Sequence, residues 1–449
     1  MSFKEFRFGK MPTHWESKRI ADYTEIVTDY VANGSFASLK ENVTYFEDPN
    51  YAVLIRLTDY NRGFDGQFVY IDERAYNFLS KTQLFGGEII ISNVGANVGT
   101  VFKAPYLRKK MNLGPNSIMV KTKGNDDFYY YWFSSPNGQE SIKSILSGSA
   151  QPKFNKTSFR NLELPIPPLN EQKAIAHILS TLDDKIEVNN RINKTLENMA
   201  QAIFKQWFVD FEFPNEDGEP YRSSGGEMVE SELGMIPKGW KVSTAGELTA
   251  IVSKGTTPRK SDIDSATDNN CVKFLKVKDI SDHGVIDLKG LEMIPSSIHL
   301  NQLKRSVLKY KDVLISIAGT IGRVSYVNEE LVNANTNQAV AFIRLKDVEK
   351  HFLLMHYKFK SSDFQDSIRS KIVQGVQANI SLSVIKDEKL ILPDDNVLGL
   401  YNNVLNNIFN ESNILYKEIN SLTNIRDTLL PKLMSGEIRV PLDEECDAS

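Results

Sequence analysis

The chain carries one series of short motifs twice, and this internal repeat constrains its fold more than any other feature. Met11-Pro12-Thr13-His14-Trp15 returns as Ile236-Pro237-Lys238-Gly239-Trp240. The glycine-containing stretch 87–99 is matched by 311–322, and the segments 112–120 and 147–155 are matched by 333–342 and 374–382. Since 449 residues suffice for two or three domains, a duplicated domain is predicted.

Each copy runs into a long segment whose apolar side chains recur every seven residues. The stripes are Ile175, Leu182, Asn189, Leu196 and Ile203 in 169–208, and Tyr401, Ile408, Leu415, Leu422 and Leu429 in about 397–434. Such heptads predict a pair of coiled-coil helices, each roughly 57 Å long at ~1.5 Å per residue. Two unrelated amphipathic helices, each packing on its own domain, are the alternative. Asn189 and Asn193 would fix the register of the pair.

The fold class predicted is α+β, because short β-rich runs bounded by Gly, Asn and Asp alternate with helical segments in both copies. Two repeated α/β domains would be separated by the long helices, which should run antiparallel with pseudo-twofold symmetry. An acidic, Gly- and Ser-rich stretch predicts an exposed, flexible linker. The boundaries expected are domain 1–168, helix 169–211, linker 212–235, domain 236–393, helix 394–436 and acidic tail 437–449.

Composition narrows the class of protein. The chain has a net charge of −4, but residues 1–169 carry 20 basic against 17 acidic residues and residues 240–393 carry 22 against 17. This imbalance is compatible with nucleic-acid binding and equally with ordinary fluctuation. No apolar run approaches the ~18 residues of a membrane span, and no secretory signal opens the chain, so a cytoplasmic location without membrane contact is expected.

Side chains suited to DNA gather near the glycine loops of both copies. Asn, Gln, Arg and Lys read base edges and hold phosphates, although any one of them is more often a solvated surface residue. The loops themselves most simply form tight hairpins, since they lack the GxxxxGK[ST] and GxGxxG patterns of phosphate-binding loops. The DNA-binding residues predicted are Ser92, Asn97, Lys109, Asn116, Gln151, Lys153 and Asn155 in the first copy, and Lys254, Thr256, Thr257, Arg259, Lys260, Thr320, Arg323, Asn337, Gln338, Gln377 and Asn379 in the second.

Enzymatic signatures are missing from the sequence. It contains no HExxH, CxxC, GxSxG or [ND]PP[YF] pattern, its six histidines form no ligand-like spacing, and Cys271 and Cys446 lie far apart. We therefore expect no catalytic residue and no metal site. A recognition or scaffold protein fits better than a self-sufficient methyltransferase or nuclease.

An aromatic cluster ends the first long helix. Phe204, Trp207, Phe208 and Phe211 either pack against the second helix or a domain, or anchor a partner subunit, as aromatic clusters on long helices often do. A partner-subunit interface at these four residues is predicted.

The sequence resembles specificity subunits of type I restriction-modification systems over essentially its whole length. The resemblance rests on IPPLNEQKAIAHIL from Ile166, LENMAQAIFKQWFVDF from Leu196 and IRDTLLPKLMSGEIRV from Ile425. The paired G-x-x-G loops, the P-x-x-W motifs at Pro12 and Pro237, and Asn337-Gln338 add to it. The second helix begins LPDDNVLGLYNNVL and so departs from the Pro-Pro-Leu-x-Glu-Gln form of the first.

The resemblance implies two target-recognition domains, each reading one half of a bipartite site in double-stranded DNA across a gap set by the helices. It also implies two methyltransferase subunits and, in the full assembly, restriction subunits as partners. No cofactor is expected on this chain, whereas S-adenosylmethionine, ATP and Mg are expected on the partner subunits. The alternative is a coiled-coil scaffold that binds protein partners through its repeated domains.

Overall fold

The structure is a computed structural model that describes residues 2–7, 9–148, 150–266, 270–374 and 379–441. The chain forms two compact units. Unit 1 comprises 1–189 together with 417–449, and unit 2 comprises 190–416. Each of the two long helices, Leu169–Phe208 and Asp395–Met434, therefore contributes residues to both units.

The main sheet of unit 1 has four antiparallel strands. A second sheet contains one parallel pair, and two separate antiparallel pairs complete the unit. In sheet order, the main sheet is Thr24–Asp29, Ser117–Thr122, Ile89–Ser92 and Val101–Lys103; the second sheet is Val69–Ile71, Ala52–Ile55, Lys110–Leu113 and Gln83–Leu84; the pairs are Phe3–Phe6 with Gly9–Pro12 and Glu16–Arg19 with Glu163–Ile166.

Unit 2 repeats this topology. Its main sheet has the same strand order and antiparallel pairing, and its second sheet has the corresponding parallel pair. The main sheet is Thr249–Lys254, Val340–Leu345, Val313–Ser316 and Val324–Tyr326; the second sheet is Glu292–Pro295, Cys271–Leu275 and Asn335–Thr336; the pairs are Met228–Ser231 with Gly234–Pro237 and Lys241–Thr244 with Lys389–Leu392. The predicted α+β fold with two repeated domains is confirmed.

Short helices flank the sheets, and side chains cap the most buried of them. Asn125 accepts a hydrogen bond from the Phe128 N–H, and Asp347 accepts one from the Lys350 N–H. The α-helices of unit 1 are Ile20–Tyr23, Phe36–Asn42, Leu57–Asn61, Glu73–Phe78, Asp126–Ser134, Pro136–Lys143 and Lys156–Arg160; those of unit 2 are Ala245–Leu248, Lys260–Asp264, Ser296–Asn301, Val348–Lys360, Ser362–Gln374 and Leu382–Lys386.

Each main sheet is covered on both faces. Along Ile89–Ser92, Ile89 and Ile91 pack into one core while Ile90 packs into another. Along Val313–Ser316, Val313 and Ile315 face one core and Leu314 faces the other. Since side chains alternate along a strand, a sheet buried on both faces needs continuous apolar runs, and both strands have them.

The long helices pair antiparallel within each unit. In unit 1, Arg426 Nη1 lies 2.8 Å from Asp183 Oδ1, and Asn189 Nδ2 donates to Glu418 Oε2 at 2.9 Å. In unit 2, the ring of Trp207 lies 5.7 Å from that of Tyr401. Residue numbers rise on one helix as they fall on the other, which confirms the antiparallel prediction.

The two asparagines predicted to fix register lie in the helix pairs. Asn193, in unit 2, is 3% exposed and accepts a hydrogen bond from the Ser412 hydroxyl at 2.9 Å. Asn189, in unit 1, is fully buried and bonds Glu418. Because a slipped pairing would bury these amides against apolar side chains, they disfavour other registers.

The start of the first long helix is tied to the P-x-x-W motif. The Glu171 carboxylate accepts hydrogen bonds from Trp15 Nε1 and His14 Nε2, both at 3.1 Å, and Trp15 is fully buried. Gln172 donates to the Pro167 carbonyl at 2.8 Å and accepts from the Asn125 N–H at 2.9 Å. The Glu-Gln pair thus joins the helix to its domain.

Most of the segment 212–235 is exposed, as its composition predicts, but one side chain anchors it to unit 2. Phe213 is 3% exposed and stacks on Trp240 and Tyr221 at 4.7 and 4.6 Å between ring centroids. The strand Met228–Ser231 within it opens the second repeat. These two aromatic contacts fix the segment to the core of unit 2 at Phe213, while most of its length stays exposed.

The aromatic cluster at the end of the first long helix also requires a correction. Phe204, Trp207, Phe208 and Phe211 are 5–7% exposed and belong to the core of unit 2. Phe208 contacts Tyr401 at 4.8 Å and Trp240 at 5.7 Å. These side chains are covered by the chain itself, which is the packing alternative, and they offer little surface to a partner subunit.

We predict that Trp207→Ala destabilises unit 2 by about 3–5 kcal/mol, because it removes a large side chain from a closed aromatic core. Urea unfolding monitored by circular dichroism measures the change. The control is Met199→Ala, which truncates a side chain that is 48% exposed on the same helix and should cost within about 0.5 kcal/mol. Equal stability of Trp207→Ala and the unaltered protein would contradict the packing role.

Candidate nucleic-acid interface

Three loops of the first repeat meet at one edge of its main sheet. The Asn93 N–H donates to the Asn116 carbonyl at 3.0 Å, and the Phe154 N–H donates to the Asn93 carbonyl at 3.1 Å. The Gly95 N–H donates to the Pro152 carbonyl at 3.0 Å. Backbone hydrogen bonds therefore join the loops 93–100 and 114–116 and the residues 147–148 and 150–155 into one surface, which we call loop edge 1.

The second repeat builds the same surface with different side chains. The Ile317 N–H donates to the Ala339 carbonyl at 2.8 Å, and the Ile380 N–H donates to the Ile317 carbonyl at 2.9 Å. The loops 317–322 and 336–339 and the residues 379–380 form this surface, which we call loop edge 2. Since the bonds are made by the backbone, they leave the side chains of both edges open to variation.

A fourth segment joins loop edge 2. The Thr256 N–H donates to the Thr336 carbonyl at 3.1 Å, and the Thr257 hydroxyl donates to Gln338 Oε1. A Cβ on Gly255 would collide with the Thr336 carbonyl oxygen, so only glycine permits this crossing. The segment 254–260 is thereby held over the loop that carries Gln338.

Both glycine loops are hairpins, as their sequence pattern indicates, but their loops, 93–100 and 317–323, are longer than the tight turns expected. Ile89–Ser92 pairs with Val101–Lys103, and Val313–Ser316 pairs with Val324–Tyr326, antiparallel in each case. Gly99 and Gly322 take φ angles of 90° and 92° at the ends of the turns. Residues with side chains rarely adopt this backbone conformation, which explains the glycines.

One glutamine in each repeat fixes the hairpin to a helix. Gln139 Nε2 donates to the carbonyls of Gly99 at 2.9 Å and Phe133 at 2.8 Å. Gln365 Nε2 donates to the carbonyls of Gly322 at 2.9 Å and Phe359 at 2.8 Å. Sequence reasoning missed this pair, although the shared step of six residues from Phe to Gln in both copies was a usable signal.

Most of the predicted DNA-binding residues lie on the two edges. Exposed on loop edge 1 are Asn97, Asn116, Gln151, Lys153 and Asn155; exposed on loop edge 2, with the segment that joins it, are Lys254, Thr256, Thr257, Arg259, Lys260, Thr320, Gln338 and Asn379. Asn337 is half-buried, and its Oδ1 accepts the Ala339 N–H at 3.2 Å. Gln377 lies outside the described residues.

Three of the predicted residues have other surroundings. Ser92 is 1% exposed within its strand and cannot reach a ligand. The Arg323 guanidinium is 2.6 Å from Asp282 Oδ1 and 2.6 Å from the Ile280 carbonyl, so it ties the hairpin to a neighbouring loop. Lys109 lies in the loop before the strand Lys110–Leu113 of the second sheet, with its ammonium 5.2 Å from the Tyr70 ring.

The sequence prediction also missed a segment of the first repeat. Asp29 pairs with Ile118 as Lys254 pairs with Ala341, so residues 30–36 follow the same strand end as 255–261. Phe36 is 83% exposed there. Aligning the two copies at Val27 and Val252 would have identified this position.

No group of His, Cys, Asp and Glu that could hold a metal ion occurs among the residues described. Within the same ranges, no helix is long and apolar enough to cross a membrane.

Comparison with known proteins gives consistent results. The family model "Type I restriction modification DNA specificity domain" matches residues 12–198 and 237–423. The MjaIX specificity subunit of a type I restriction enzyme from Methanocaldococcus jannaschii is 27% identical over 98% of this chain and 96% of its own length. The HindI specificity subunit from Haemophilus influenzae is 25% identical over 74% and 80%. A crystal structure of a type I restriction-modification S subunit from M. genitalium shares the fold, with a TM-score of 0.52, 15% identity and coverage of 95% and 98%.

We predict that Gln139→Leu lowers the free energy of unfolding of unit 1 by about 1–3 kcal/mol, because two buried carbonyls lose their donor. Gln365→Leu should do the same to unit 2. Chemical denaturation followed by tyrosine and tryptophan fluorescence measures both. Gln151→Leu, at an exposed position, is the matched control and should change stability by less than about 0.5 kcal/mol; a loss equal to that of Gln139→Leu would refute the assignment.

Proposed function

Because the chain belongs to the family of type I restriction modification DNA specificity proteins, we propose that it is a non-catalytic DNA-recognition subunit whose two repeats each read one half of a bipartite target. The observation that carries this proposal is the pair of loop edges. Both are held by equivalent backbone hydrogen bonds, yet they present different side chains. Two copies of one fold that present different side chains suit a DNA target whose two halves differ in sequence.

The chemistry of the edges favours readout of base pairs. Amides such as Asn97 and Gln151 on loop edge 1, and Gln338 on loop edge 2, pair with the hydrogen-bonding groups of bases. Lys153 and Lys254 carry charges that suit phosphates, which position the protein without specifying sequence. These residues are exposed and stand on loops of fixed backbone geometry.

We also propose that the long helices set the number of unread base pairs between the halves. Each is a continuous helix of 40 residues that contributes to both units. A stiff connection between two DNA-reading elements converts its own length into half-site spacing. The joined readers would also raise each other's effective concentration on DNA, which lets modestly basic domains bind usefully.

The same proposal assigns the bond chemistry to partners. Two methyltransferase subunits that carry S-adenosylmethionine, and restriction subunits that use ATP and Mg, would act at the bound DNA. Apolar side chains left exposed on the long helices are candidate docking positions for the methyltransferase. Those of unit 2 are Ile192, Met199, Leu400, Val404 and Ile414, between 40% and 59% exposed.

Substitutions on one loop edge should change one half-site only. We predict that Thr257→Ala with Gln338→Ala relaxes the second half-site and leaves the first intact, at a cost of about 1–3 kcal/mol for each lost paired contact to a base. Asn97→Ala with Gln151→Ala should do the reverse. Methylome sequencing of cells that express each variant with the methyltransferase reads both halves together. Simultaneous loss of both halves, or DNA binding by the unaltered complex without sequence preference, would contradict the proposal; the latter is the behaviour of a scaffold.

Shortening the helix pair should shorten the gap. We predict that deleting 184–190 together with 417–423, which removes the bonded Asn189 and Glu418 at once, brings the half-sites about three base pairs closer. Seven residues span roughly 10.5 Å of helix, and base pairs stack about 3.4 Å apart. The deletion keeps the seven-residue stripes aligned, whereas the control, deletion of 184–190 alone, misaligns them and should abolish methylation. An unchanged gap in the methylome would reject the spacing role.

A further inference from the structure

The first repeat carries a basic, aromatic cleft apart from its loop edge. The cleft has a volume of about 410 Å³ and is lined by residues that include Tyr76, Phe85, Arg108, Lys109 and Lys110. Three consecutive cations and two aromatic rings thus share one opening. We call this surface the basic cleft.

The turn that carries Phe85 at the cleft is rigidly built. The Glu88 carboxylate accepts hydrogen bonds from the N–H groups of Phe85 and Gly86, both at 2.9 Å, which closes the turn before the strand Ile89–Ser92. A Cβ on Gly86 would collide with the Tyr106 ring, so the glycine lets that ring lie over the turn. Phe85 and Tyr106 nevertheless remain 75% and 81% exposed.

Two of the cations are oriented by tyrosine rings in or beside the cleft. The Lys110 ammonium lies 4.3 Å from the Tyr51 ring centroid and 5.2 Å from that of Tyr76, and it donates to the Tyr51 hydroxyl. That hydrogen bond raises the pKa of Lys110. Lys109 lies over the Tyr70 ring. Rings that hold lysine chains extended reduce the entropy lost when an anion binds.

Within the part of the chain that the structure describes, the positive charges of Arg108 and Lys109 are not neutralised by carboxylates. Both are exposed, and among the described residues neither forms an ion pair. Adjacent cations without carboxylate partners repel one another, so an anion that bridges them is favoured. The positive charge and the exposed aromatic rings suit a linear polyanion.

The second repeat replaces these features at the equivalent position. The Gly87 N–H bonds the Ala104 carbonyl at 2.9 Å, and the Lys311 N–H bonds the Val327 carbonyl at 2.8 Å, which aligns the two turns. Tyr106 then corresponds to Glu329, and the stretch 107–110 to 330–333, which reads Glu-Leu-Val-Asn. The run of three consecutive cations therefore occurs at this strand start in the first repeat and not in the second, although the turn equivalent to 85–87 reads Lys-Tyr-Lys at 309–311.

We propose that the basic cleft binds backbone phosphates of the DNA beyond the bases that loop edge 1 reads, which gives the first half-site a longer footprint than the second. The inference rests on the proposed DNA recognition. The strand Lys110–Leu113 starts at the cleft and runs into loop 114–116 of loop edge 1, so the two surfaces lie about four residues, or ~13 Å, apart along one strand. A duplex bound at the edge presents phosphates at that distance.

The test is the salt dependence of DNA binding by the complex with its methyltransferase partner. Arg108→Gln with Lys109→Gln removes two cations and leaves Lys110 and the tyrosine rings around it in place. Each lost phosphate contact reduces the slope of log K against log salt by about 0.9, so the slope should fall by about 1.8. Between 50 and 200 mM salt, the unaltered complex should then lose about tenfold more affinity than the variant. Since phosphates carry no sequence information, the methylated sequence should not change.

A matched control separates contact from net charge. Lys10→Gln with Lys173→Gln removes two exposed lysines from the N-terminal hairpin and the first long helix of the same unit, and should leave the slope unaltered. Ethylation interference adds position: modified phosphates flanking the first half-site should weaken binding of the unaltered complex and not that of the Arg108/Lys109 variant. An unchanged slope, or a changed methylated sequence, overturns the cleft assignment. Absence of specific binding by the unaltered complex would instead overturn the proposed function itself.

Discussion

Burial of the apolar stripes along the two long helices is the constraint on which the rest of the structure depends. Neither helix can bury its stripe alone, since half of each is polar, and the partner residues lie 194 or more positions away along the chain. In unit 1 the stripe residue Ile175 and its neighbour on the same helix, Leu179, share a core with Leu433 and Met434. In unit 2, Phe204 and Trp207 share one with Tyr401 and Leu405. The helices are therefore parts of the domain cores as much as connections between them.

The repeats show how one frame can support two different surfaces. Equivalent backbone bonds hold the loops, and Gln139 and Gln365 make the same two hydrogen bonds in each copy. Glycine is required at Gly255 in the second copy, where the chain crosses the Thr336 carbonyl, and the first copy forms a short 3-10 turn at Tyr30–Asn33 instead. Exposed edge side chains such as Asn97, Gln151 and Lys153 take no part in these bonds, so they can change without loss of the fold.

Much of this organisation could be predicted from sequence, because repeats and heptads are periodic and periodicity survives without coordinates. The first long helix is predicted at 169–211, and the structure has it as Leu169–Phe208, three residues shorter at its end. Burial was harder to predict. Ser92 and Arg323 have the chemistry of DNA ligands, but one is enclosed in a strand and the other is bound to Asp282, 41 residues earlier. The aromatic cluster was assigned to a partner because Phe213 and Trp240, which cover it, lie in or beyond a segment that resembles a linker.

The closing of unit 1 by residues 417–441 has a consequence during synthesis. The first 189 residues leave the ribosome long before Leu433 and Met434 exist, and at about 5–20 residues per second they wait roughly 10–50 s for them. Until then the core that contains Ile175 and Leu179 lacks the apolar side chains that Leu433 and Met434 contribute, and the part of it that they cover is open to solvent. A premature stop codon anywhere before the second long helix would leave that apolar surface permanently exposed. Incomplete chains would therefore be recognised for degradation.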